Sequence, residues 1–117
     1  MNLEGFRKHC LSKKGVTEEF PFGEETLVYK VMGKMFALTD LESFESLNLK
    51  VDPEVGEELR EKYAVVQPGY HMNKKHWITV LVDGSIPDKK LLEWVDNSYQ
   101  LVASALTKSQ KSALESM

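Results

Sequence analysis

Apolar and polar residues follow two different periods along this chain, and the switches between them mark its elements. Near the start, Leu3, Phe6 and Cys10 recur at helical spacing with Leu11 beside them. Asn2 is the expected N-cap, Lys13 and Lys14 suit the negative end of the helix, and Gly15 can stop it. Val16 to Glu25 shows neither period and predicts an ordered loop packed by Phe20 and Phe22. The period then becomes two. TLVYKVMGKMFALTD reads as two strands about a turn at Gly33, and SLNLKV as a third strand.

Asp52-Pro53 predicts a helix start, with aspartate as cap and proline in the first turn. That helix should run to about Tyr63 with Val55 and Leu59 facing inward. AVVQ is a short strand, Pro68 to Lys75 a loop, and HWITVLV the strongest strand signal. Ser85 to Asp88 has a capping-box pattern ahead of a long helix whose stripe is Leu91, Val95, Tyr99, Val102 and Leu106. Thr107 with Gln110 is a second capping box and predicts a short terminal helix. Short links between neighbouring strands favour antiparallel pairing. The expected fold class is therefore α+β: an antiparallel β-sheet with helices packed on one face and water on the other.

A chain of 117 residues fits one domain, here 1–117, that needs no metal or disulfide to fold. Cys10 is the only cysteine, which suits a reducing compartment. No segment has signal-peptide or membrane-span character, so a cytoplasmic protein without membrane partners is expected. The net charge of -3 opposes general attraction to nucleic acid, so any such site must be a local patch.

The charges are unevenly spread. Residues 40–61 hold eight acids, whereas 26–39 and 64–82 hold none. Strand parity sharpens this. Burying Ile78, Val80 and Val82 turns Trp77 and Thr79 to the other side, and the same logic turns Lys30, Asn48 and Lys50 outward. The loop with Tyr70, His71, Asn73, Lys74 and Lys75 adjoins that face. Lysines neutralise phosphates and aromatic rings stack on bases, so this is the candidate binding surface. The plain alternative is a polar, solvated sheet face.

No catalytic set emerges, and the chain is read as a non-enzyme. Cys10 lies on the apolar stripe of its helix, where a thiol packs as a small apolar group. His71 and His76 fall short of the three or four ligands of a zinc site. Glu54, Glu57, Glu58 and Glu61 read as a solvated helix face. Ser85 reads as a cap, and Ser98 and Tyr99 as core. No nucleotide-binding loop or serine elbow occurs, and no cofactor or metal is expected.

Several segments together resemble the MmcQ/YjbR family of small bacterial proteins. They are HMNKKHWITV from His71 to Val80, running into DGSIPD to Asp88; VDNSY from Val95 to Tyr99; and Tyr29-Lys30-Val31 followed by Lys34-Met35-Phe36-Ala37. The resemblance implies a CyaY-like α+β fold, and it implies DNA binding through paired hairpins. Carried onto this chain, its pattern points to Lys30, Lys34, Lys50, His71, Asn73, Lys74, His76 and Trp77. Arginine is absent from all of these positions. The CyaY-like label also raises iron, but the first helix carries Arg7, Lys8, Lys13 and Lys14 against Glu4 alone.

Two expectations result. The first is a DNA-binding module using Lys30, Lys34, Lys50, Tyr70, His71, Asn73, Lys74, Lys75, His76 and Trp77. The second is an adaptor that receives an acidic protein or a phosphate-bearing small ligand on the same surface.

Overall fold

A computed structural model describes residues 1–70 and 72–117. The elements in chain order are α1 (Leu3–Leu11), β1 (Val16–Glu19), β2 (Thr26–Val31), β3 (Lys34–Asp40), β4 (Ser46–Lys50), α2 (Pro53–Lys62), β5 (Val66–Pro68), β6 (Trp77–Leu81), α3 (Asp88–Ser104) and α4 (Lys108–Glu115). The strands form one antiparallel sheet in the order β1-β2-β3-β4-β6-β5.

Local chemistry sets most element ends. Asn2 accepts a hydrogen bond from the Gly5 amide at the start of α1, and Asp52 accepts one from Glu54 at the start of α2. Met32 and Gly33 both have positive φ, the geometry of a two-residue hairpin turn between β2 and β3. Thr107 and Gln110 close the expected capping box of α4.

All four helices contribute to one core against one face of the sheet. Phe6 and Cys10 of α1 and Leu91, Val95, Tyr99 and Val102 of α3 meet Leu27, Tyr29, Val31, Leu47, Leu49, Ile78 and Val80, with Leu59 and Leu114 at its margin. The α3 stripe read from the sequence is buried along its whole length, through Leu106. Burial pushes the Cys10 thiol far above its usual pKa, as befits a packing residue.

Three local expectations need correction. Val16–Glu19 is a strand, not loop, and pairs with β2 as the sheet edge. Its alternation lasts only four residues, too short to stand out. Phe20 and Phe22, expected to pack, are exposed. In α2, Val55 is exposed and the buried position is Gly56, where a Cβ would meet Val51 Cγ2 at 2.9 Å. A side chain there would crowd Val51, just past the end of β4, and the Arg60 guanidinium. Finally, Ser85 caps no helix. Its amide and hydroxyl both donate to Asp83 Oδ1, at 2.9 and 2.6 Å, within the Gly84 turn, and α3 begins after Pro87 without a side-chain cap.

A partly buried polar tie fastens the first helix to the sheet. Arg7 donates through Nε and Nη2 to the Glu18 carboxylate at 3.1 and 2.9 Å, and Tyr29 Oη donates to the same group at 2.7 Å. Burial pushes the Glu18 carboxyl up, but these hydrogen bonds outweigh it and hold it below its usual range. A depressed folded pKa adds stability above the unfolded value of about 4.3 that is lost as pH falls through the folded value. Glu18→Gln is therefore expected to lower stability by about 1–2 kcal/mol at pH 7. The gap from wild type should shrink steadily in urea titrations below about pH 4. A gap independent of pH would show that the carboxylate charge plays no part.

Candidate functional site on the open sheet face

Strand parity places the outward residues as expected. Lys50 pairs with Trp77 and Asn48 with Thr79 across β4 and β6, and Val28 faces Leu38 across β2 and β3. Lys30, Lys50 and Trp77 thus share the face opposite the helices.

Trp77 is not, however, an open platform for bases. Only 7% of it is exposed, because it packs with Val28 and Leu38 under Met35 and Met72 in a second, smaller core. The sequence alone did not single out Val28 and Leu38, the apolar outward residues of β2 and β3. Together with two methionines they bury the indole on what would otherwise be a bare face.

The remaining site residues divide by what already holds them. Lys30 Nζ pairs with Glu19 at 3.1 Å, and Lys74 Nζ donates to the Gly69 carbonyl at 3.1 Å. Asn73 caps its own turn: Oδ1 accepts from the Lys75 amide at 2.9 Å and the His76 amide at 3.3 Å. Lys34, Lys75 and His76 are exposed, and Lys50 is half-buried. His71 lies outside the described residues. Among the described residues no group of three or more His, Cys, Asp or Glu side chains converges to hold a metal. No helix among them is long and apolar enough to cross a membrane.

Charge is sorted along the strands. Lys30, Lys34, Lys50, Lys75 and His76 stand at the end where β2 meets its turn and β6 begins. Asp52 is also near, but its carboxylate caps α2. Glu25, Asp40, Glu45 and Asp83 stand at the opposite end.

Two clefts open on this face, of about 560 and 490 Å³, and share Ser46, Asn48 and Tyr70. Phe22, Leu38, Asp40, Glu45 and Met72 complete the first, while Gln67, Pro68 and Lys74 border the second. A short polar relay underlies them. Thr79 Oγ1 donates to Asn48 Oδ1 at 2.5 Å and accepts from the Tyr70 amide at 2.8 Å. The Asn48 Nδ2 group keeps both protons without a partner among the described residues. Phe22 and Tyr70 are 61% and 67% exposed beside the first cleft. Sequence reasoning named Tyr70 but not Phe22, Asp40, Glu45, Ser46 or Asn48 as site residues. Asn48 alone carried a signal, as an outward polar residue amid strand neighbours.

Gly69 locks the segment that carries Tyr70. Its amide donates to the Trp77 carbonyl at 2.9 Å, and a Cβ there would lie 2.7 Å from Trp77 Cβ. The loop can hug β6 only because this position has no side chain.

Comparison with known proteins adds the lineage. The YjbR family profile matches residues 11–101. The chain belongs to the YjbR family. This YjbR-family protein is 32% identical over 115 residues to the uncharacterised protein YjbR of Escherichia coli K12, covering 97% of this chain and 98% of that one. It is 40% identical over 90 residues to the uncharacterised protein YbdF of Escherichia coli O157:H7, covering 76% and 74%. Among solved structures, a Deinococcus radiodurans protein with the family-model domain DUF419 superposes with a TM-score of 0.90 at 44% identity, over 97% of this chain and 88% of that one. A Pseudomonas syringae protein superposes with a TM-score of 0.71 at 29% identity, over 86% and 98%. The YjbR membership and α+β architecture expected from the sequence both hold.

Proposed function

We propose that this YjbR-family protein is a non-catalytic binding module that takes a small ligand in the cleft on the open face of its sheet. The observation that carries this reading is the Asn48 amide at the shared floor of the two clefts, with an unpartnered Nδ2 beneath an aromatic rim. A concave site with a mixed apolar and polar lining and a few convergent polar groups is the usual form of a small-ligand site. The test is a fragment screen read by amide NMR shifts. Binders should perturb Ser46, Asn48 and Tyr70 together, and Asn48→Leu should weaken them by at least tenfold. Binders that map elsewhere would refute the placement.

A second reading, nucleic-acid binding, draws on the cationic end of the sheet. Lys34, Lys50 and Lys75 have no ion-pair partner among the described residues. Three phosphate contacts would give a logarithmic salt slope of about -3, at roughly -0.9 per contact. This is shallower than the five lysines of the face would give, because Lys30 and Lys74 are engaged within the protein. Titration of labelled duplex and single-stranded DNA at two salt concentrations measures it. Binding indifferent to salt would exclude this mode.

A further inference from the structure

We infer that the first cleft selects a small organic cation, an ammonium group on an apolar or aromatic body, and rejects anions. The inference rests on the cleft reading above and reverses the phosphate-bearing ligand expected from the sequence. That expectation came from counting lysines on the face. The structure places Lys30, Lys34, Lys50 and Lys75 at the other end of the strands and Lys74 beside the second cleft, so that the first cleft's lining holds Asp40 and Glu45 and no lysine, arginine or histidine among the described residues.

Three features of the cleft agree in sign. Asp40 spends Oδ1 on the amides of Glu42 and Ser43, at 2.8 and 3.0 Å, which leaves Oδ2 without a partner among the described residues. The Glu45 carboxylate has no side-chain partner among them either. The rings of Phe22 and Tyr70, both largely exposed, border the same space. Aromatic faces carry negative quadrupole charge and attract cations, most strongly where water is partly excluded. Leu38 and Met72 supply an apolar floor for the body of the ligand. An anion in this place would meet two carboxylates, with no cationic side chain in the lining among the described residues. The second cleft, which Lys74 borders, lies beyond Asn48.

Three probes with the same ring separate charge from shape: benzyltrimethylammonium, benzyl alcohol and benzoate. Each is titrated into the full chain while amide shifts of Ser46, Asn48 and Tyr70 are followed. Benzyltrimethylammonium is expected to bind at least tenfold more tightly than benzyl alcohol, with benzoate weakest. The double variant Asp40→Asn with Glu45→Gln should erase that preference. Asparagine keeps the oxygen that accepts from Glu42 and Ser43, so the turn is retained, and an unchanged melting temperature verifies it. Equal binding of the three probes, or a lead for benzoate, overturns the charge assignment but leaves a cleft that binds. If none of the three moves these residues, the cation inference is overturned, and the fragment screen decides separately whether the cleft binds at all.

Discussion

Trp77→Ala is expected to destabilise the protein by about 3–5 kcal/mol, the range for removing a large buried aromatic side chain. The prediction separates two descriptions of the same residue. An exposed stacking platform could be truncated with an effect on stability within about 0.5 kcal/mol, and only binding would suffer. In the structure the indole is sealed among Val28, Leu38, Met35 and Met72, so truncation opens a cavity on the outer face. It also uncovers Met72, on the segment that Gly69 ties to β6 at the Trp77 carbonyl. Urea unfolding at pH 7 measures the loss. A cost below about 1 kcal/mol would mean the second core does not exist. The 69–76 segment should also loosen in the variant, seen as faster amide exchange at Gly69 and His76.

Ser98→Ala removes one oxygen and should cost about 2–4 kcal/mol, far more than a serine in a helix usually would. The cause is a gap in the sheet. The β2–β3 register shifts between Tyr29 and Lys30, which leaves Phe36 without a Cα partner on β2. The β3–β4 ladder ends at the rung of Ala37 and Leu49. Beyond it, Ser98 Oγ from α3 fills the opening, accepting from the Lys50 amide at 2.9 Å and donating to the Phe36 carbonyl at 2.5 Å. Ser98 is fully buried, so its loss strands two backbone groups away from water. Thermal and urea unfolding of Ser98→Ala, with Ser104→Ala on the same helix as an exposed control, test this. The control should shift stability by less than about 0.5 kcal/mol. Equal small effects would show that water or a backbone shift closes the gap.

These two side chains also show where a reading of the chain stops. Ser98 was correctly placed as a core residue from the α3 stripe, yet its task was invisible. Nothing in VDNSY says that a strand ladder breaks opposite it. Trp77 was correctly placed on the outward side by alternation, yet its exposure was wrong. Alternation gives direction, not cover, and the cover comes from Met72 on a loop and Met35 on another strand. The candidate lysines met the same limit. Lys30 is paired with Glu19 on an edge strand that had read as loop.

The one-dimensional pattern was sufficient for the periods of α1, α3, β2, β3, β4 and β6, the caps at Asn2, Asp52 and Thr107, the hairpin at Gly33 and the outward direction of Lys30, Asn48, Lys50, Trp77 and Thr79. These depend on neighbours within a few positions, so the chain carries them locally. The closing of Trp77, the bridging of a broken ladder by Ser98, and the sorting of lysines and carboxylates to opposite ends of one face depend on register between strands distant in the chain. Long-range pairing brings those groups together, and no local spacing encodes the distance between them. The cleft around Asn48 belongs to this second kind, since its walls come from four separate stretches of sequence that meet only in the folded sheet.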